Sequence, residues 1–90
     1  MLSPEELAEL IGEIQELPDD SVLNERQKAA LRENVERFVS KSLPAKVASG
    51  KLDSVQRFLR EDRRWRFLSQ VPEARARLAA ALDGTGIELP

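Results

Sequence analysis

The sequence predicts an all-α fold: a compact bundle of four to six short helices over residues 1–84, followed by a short tail over 85–90 expected to be flexible. Three observations predict it. Apolar residues recur three and four positions apart along every long segment, and no stretch shows the alternation of a half-buried strand. Helix-start residues and Pro or Gly stops punctuate those segments at short intervals. Aromatics are limited to Phe38, Phe58, Trp65 and Phe67, so the core has to be built mainly from Leu, Ile, Val and Ala, the residues of helix packing. Ninety residues make one domain with a modest core.

The first helix is the most clearly marked. Ser3 precedes Pro4, and Glu6 follows three residues after Ser3, which is a capping box with proline at the first helical position. Leu7, Leu10, Ile11, Ile14 and Leu17 then trace one helical face. Pro18 ends the segment, because the residue before a proline is pushed out of the helical region. Asn24 opens the second helix with Gln27 as its capping-box partner. Its buried stripe is expected to be Leu31, Val35, Phe38 and Val39, with Ala29 and Ala30 allowing close approach, and Glu33 is placed to pair with Arg37. Leu43–Pro44 is expected to end or break this helix.

A short turn of helix follows over Ala45–Ser49, with Gly50 as its left-handed cap. Asp53 or Ser54 is expected to cap the next segment, whose apolar side is Val55, Phe58 and Leu59. The pattern loses phase through Arg60–Arg64, which reads as one bent helix or as two with Asp62 as a second N-cap. Pro72 starts the last helix, which turns Ala74, Leu78, Ala81 and Leu82 inward and closes at Asp83–Gly84. In the tail, Ile87 and Leu89 are the residues able to tuck against the bundle.

Charge is segregated along this chain. Residues 1–24 carry seven acids and no Lys or Arg, whereas residues 46–77 carry nine bases against four acids, although the whole chain sums to only −2. A fold built this way is an electrostatic dipole, which orients and steers charged partners. The acidic candidates for a partner-binding face are Glu5, Glu6, Glu9, Glu13 and Glu16 of the first helix. The basic candidates are Arg57, Arg60, Arg63, Arg64 and Arg66, which surround Trp65.

Composition removes several classes of function. There is no His, Cys or Tyr, so the usual neutral-pH base, the thiolate nucleophile and the phenol acid are missing. No serine has a histidine to activate it, and Ser40-Lys41-Ser42 lacks the spacing of a Ser–Lys pair. The carboxylates of the first helix lack the Glu-x-x-His partners of a di-metal bundle. Asp19-Asp20-Ser21 lacks the alternating ligands and glycine of a calcium loop. The glycines form no phosphate-binding loop. No catalytic residue, metal site or cofactor is therefore expected, and no small-molecule substrate is indicated. The start MLSPEELAEL lacks a basic n-region and an apolar h-region, so no signal peptide is expected. No apolar run approaches the roughly 20 residues that span a bilayer, and the acidic polar face of the first helix is the wrong sign for a membrane surface. A cytoplasmic location without membrane contact is the expectation.

The arginine cluster admits three readings. The arginines pair internally with Glu61, Asp62 or the first helix, and Trp65 is simply the largest core residue. Or they meet an acidic protein surface through their bidentate forks. Or they bind nucleic acid, with Trp65 stacking on bases. A pI near 5.2 opposes the last, since nucleic-acid-binding domains usually sit above about 9. A helix-turn-helix over Ala45–Leu59 fits poorly, because Lys51 and Gln56 fall where apolar residues belong. The expectation is a non-catalytic interaction or regulatory module that meets a protein partner, or a copy of itself head to tail, with Arg60 and Arg64 central to the contact. Nucleic-acid binding is the alternative. A small bundle with opposed charged faces is similar in outline to death-fold adaptors, a likeness of size and layout only.

Overall fold

The computed structural model describes residues 1–89. Pro90, the last residue of the expected tail, lies outside them. Five α-helices form: α1 (Pro4–Glu16), α2 (Glu25–Arg37), α3 (Leu43–Ala48), α4 (Leu52–Glu61) and α5 (Pro72–Leu82). A π-turn over Phe38–Ser42 links α2 to α3, and a 3₁₀ segment over Arg63–Gln70 links α4 to α5. Among the described residues there is no strand, and the chain is a small all-α bundle.

The helix starts follow their sequence chemistry. Ser3 Oγ accepts from the Glu6 N–H at 3.1 Å, and the Glu6 carboxylate accepts from the Ser3 N–H at 3.3 Å. Asn24 and Gln27 make the same reciprocal pair at 2.8 and 3.0 Å. Each box satisfies two N–H groups that the first turn of a helix leaves without partners. Gly50 has φ +68°, and the turn around it is a full Schellman motif: the Lys51 N–H reaches the Lys46 carbonyl and the Gly50 N–H reaches the Val47 carbonyl.

Two boundaries differ from the sequence reading. Leu43–Pro44 does not end the second helix. The Leu43 N–H reaches back five residues to the Phe38 carbonyl, and Ser40 Oγ donates to the Glu36 carbonyl at 2.7 Å. The widened π-turn absorbs the hydrogen bond that Pro44 cannot donate, so the backbone stays helical into α3. Further on, α4 begins at Leu52, ahead of the expected caps Asp53 and Ser54, with no side-chain cap at Lys51. Asp53 instead occupies the first turn, where the macrodipole favours an acid.

Residues 54–70 form two elements rather than one bent helix. Asp62 leaves the helical region with ψ 130°, and its carboxylate accepts from the Arg64 N–H at 3.0 Å. It is both the end of α4 and the N-cap of the 3₁₀ segment.

α1 packs along α2, and α2 packs against α5. The 3₁₀ segment wedges against α1 and α5, while α4 packs on α3. Ile14, Leu31, Leu59, Phe67 and Leu78 are fully buried at the centre. Burying each such side chain contributes about 1.5–3 kcal/mol. Phe38, Phe58 and Trp65 form a trio with ring centroids 5.5–5.7 Å apart. Ile87 and Leu89 of the tail pack against the core, and the Gln56 amide donates to the Glu88 carbonyl at 3.3 Å. No helix among the described residues is long and apolar enough to cross a membrane.

Candidate functional site

The five arginines expected to act together fall into two groups. Arg63 and Arg66 both clasp Asp19, in the loop after α1, at 2.9 Å. Arg63 also donates to the carbonyls of Gln15 (3.0 Å) and Leu17, which ties the 3₁₀ segment to the end of α1. Those two carbonyls are among the orphans of a helix C-terminus, so Arg63 acts as a C-cap from a distant element.

Arg64 is the most enclosed, with 19% of its side chain exposed. It bonds both Asp62 oxygens at 2.8 and 3.3 Å and the Asn34 side-chain oxygen at 2.9 Å. Its guanidinium carbon lies 5.3 Å from the Phe58 ring centroid, within cation–π range. Gln15 of α1 completes the cluster by donating to Asp62 at 2.9 Å. Partial burial raises the affinity of the Asp62 carboxylate for a proton. The bonds from Arg64 and Gln15 outweigh it and hold the group below its ordinary range. Asp19 is likewise lowered, chiefly by its bond from Arg66. An arginine with partners on three sides positions the fold and has little of its charge to offer a ligand.

Trp65 is 3% exposed, between Phe38 and Phe58. It offers no ring face on which a nucleic-acid base can stack. Arg57 and Arg60, by contrast, lie exposed on α4, and neither makes an ion pair or a hydrogen bond among the described residues.

The acidic candidates divide in the same way. Glu6 pairs with Arg26 of α2 at 3.0 Å, and Glu13 accepts from the Gln27 amide at 3.4 Å. The Ser3 N–H, with the Ser3 hydroxyl and Arg26, lowers the Glu6 pKa. Glu5, Glu9 and Glu16 are exposed and have no such partners. At 3.6 residues per turn these three fall within about 40° of one another around the α1 axis. Asp20 lies exposed just beyond the helix.

The expected Glu33–Arg37 pair does not form. Glu33 accepts from the Leu2 N–H at 3.2 Å, holding the N-terminus on α2. Two ion pairs that bridge elements, Arg32–Glu73 at 2.6 Å and Arg77–Glu36 at 3.2 Å, lace α2 to α5.

Internal pairing thus moves the basic pole. With Arg63, Arg64 and Arg66 engaged by Asp19 and Asp62, the bases left without a partner on the arm from the π-turn through α4 are Lys41, Lys46, Lys51, Arg57 and Arg60, against Asp53 and Glu61. Sequence reasoning did not single out the three lysines. Their signal was present, because residues 37–52 contain no Asp or Glu at all, so no lysine there has a local partner. On the same arm, Phe38, Val55 and Phe58 line an apolar groove of about 310 Å³ with Ser42, Lys46 and Ser54 at its polar positions.

No known protein family, curated protein or solved structure matches this chain, so the outline likeness to death-fold adaptors adds nothing to the argument.

Proposed function

We propose that this protein is a non-catalytic adaptor that associates with copies of itself head to tail. The acidic face of α1 in one copy, Glu5, Glu9 and Glu16 with Asp20, meets the basic α3–α4 arm of the next, Lys41, Lys46, Lys51, Arg57 and Arg60. The observation that carries the reading is the position of the charges left over after internal pairing. They lie on elements that pack on different neighbours: α1 on α2 and the 3₁₀ segment, α4 on α3. Two complementary surfaces that do not meet within one molecule are free to meet between molecules. Such a contact is heterologous, and it builds open chains unless its rotation closes a ring. A cytoplasmic location goes with this reading.

Light scattering behind a sizing column, at low and high salt, tests it. The native protein is expected to gain mass with concentration at low salt and to run as a monomer at high salt. Arg57→Glu/Arg60→Glu and Glu9→Lys/Glu16→Lys are each expected to be monomeric alone and to associate when mixed, because each then complements the other. A native protein that stays monomeric at low salt overturns the proposal, as does association that requires co-purifying nucleic acid.

A further inference from the structure

Between α4, the 3₁₀ segment and α5 lies a cavity of about 410 Å³ with Arg60, Arg66 and Arg75 in its lining. No carboxylate lines it. Arg66 is held by Asp19, but the side chains of Arg60 and Arg75 make no ion pair or hydrogen bond among the described residues. Ser69 also lines the cavity, and its hydroxyl has no hydrogen-bond partner there. Leu59 and Trp65, both buried, supply apolar lining, and the Trp65 indole N–H is the one buried side-chain donor without an acceptor among the described residues. Arg60 and Arg75 are therefore two unpaired like charges on one cavity, beside an Arg66 whose carboxylate lies outside the lining, and an anion among them turns their repulsion into attraction.

We propose that this cavity binds a phosphate monoester. Guanidinium groups match phosphate oxygens bidentately, and charge-assisted bonds of this kind are the strong ones. Two free guanidinium forks, the remaining donors of Arg66 and a hydroxyl provide more donors than one carboxylate accepts, whereas a phosphate monoester presents three terminal oxygens and close to two charges at neutral pH. The arginines converge on one cavity instead of tracking along a groove, and the nearest aromatic is buried, so a nucleic-acid strand finds neither a backbone path nor a stacking face. The site goes beyond head-to-tail association and shares only Arg60 with it.

Trp65 is the sole tryptophan and lines the cavity, so its fluorescence reports occupancy. The native chain is titrated with a neutral peptide carrying one phosphoserine, at a salt concentration where it is monomeric. Saturable binding is expected. Losing Arg75 as Arg75→Ala removes a charge-assisted contact and is expected to weaken binding about tenfold. Arg37→Ala, which removes an equal charge from an exposed, unpaired residue outside the lining and outside the head-to-tail contact, is expected to leave binding within about twofold, the size of a screened surface effect. Equal losses in the two variants would mean diffuse attraction and overturn the site. Equal affinity for the same peptide with glutamate in place of phosphoserine overturns the phosphate assignment. Equal affinity for inorganic phosphate makes the free anion the ligand and overturns the monoester assignment. Tighter binding of a single-stranded oligonucleotide overturns the partner class. None of these outcomes depends on association, so this proposal and the adaptor reading fail separately.

Discussion

Arg60 and Arg63 stand three residues apart. Arg60 lies on the surface of α4 with no partner, while Arg63 reaches two carbonyls and a carboxylate at the far end of α1. Between them sits Asp62, which stops one helix and starts the next. The break redirects the chain, so arginines that would share one face of a continuous helix point to different neighbours. Residues 57–66 therefore hold two regions of similar composition and different work. The N-terminal part leaves its charge exposed and unpaired among the described residues, and the C-terminal part uses its charge to hold α1, α2 and the 3₁₀ segment together.

The sharpest way to separate the regions is to remove Trp65. It fills the space between Phe38 and Phe58. Trp65→Ala is expected to lower stability by about 3–5 kcal/mol, read by urea unfolding. A loss below about 1 kcal/mol would mean that Trp65 is no core residue.

Next in size is Asp62, which caps the 3₁₀ segment and receives both Arg64 and Gln15. Asp62→Ala is expected to cost about 1–3 kcal/mol, the sum of a lost cap and a half-buried arginine without its carboxylate. Asp62→Asn keeps the capping oxygen and is expected to cost less. If Asn and Ala cost the same, the capping bond contributes nothing measurable.

Acid titration sharpens the same contrast. Asp19 and Asp62 have folded pKa values below the ordinary aspartate value of 3.8. A carboxylate lowered in the folded state contributes stability that is fully present above its unfolded value. That stability is lost as pH falls below 3.8 and through the lower folded values. Asp62→Asn is expected to flatten the decline measured between neutral pH and this acid range. The Arg57→Ala/Arg60→Ala variant is expected to keep the native profile, since neither arginine touches either carboxylate.

The smallest expected effect on stability belongs to that variant. Exposed side chains without partners usually change stability by no more than about 0.5 kcal/mol, and its urea midpoint is expected to stay within that range.

Much of the fold was legible because its signals are local. Both capping boxes, the stop at Leu17–Pro18, the Gly50 turn, the Pro72 start and the Asp62 cap each depend on residues within a few positions of one another. The continuation through Pro44 was not legible. Proline predicts a break, and only packing around Phe38, Val39 and Leu43, all buried, shows why the chain takes a π-turn instead. The division of the arginines was out of reach for the same reason. Asp19 lies more than forty positions from Arg63 and Arg66, and nothing in the local spacing announces the clasp. Gln27 makes the point on a smaller scale. Its capping role was readable, but not that the same side chain is buried and reaches Glu13.

One measurement tests this division most directly: urea unfolding of Arg57→Ala/Arg60→Ala beside Arg63→Ala/Arg64→Ala. Each variant removes two positive charges from the same stretch. The first is expected to overlay the native curve. The second is expected to lose about 2 kcal/mol or more, as charged hydrogen bonds to carbonyls and a carboxylate disappear. Equal shifts, or a larger loss in the first pair, would contradict the assignment of Arg63 and Arg64 to the fold and the exclusion of Arg57 and Arg60 from it.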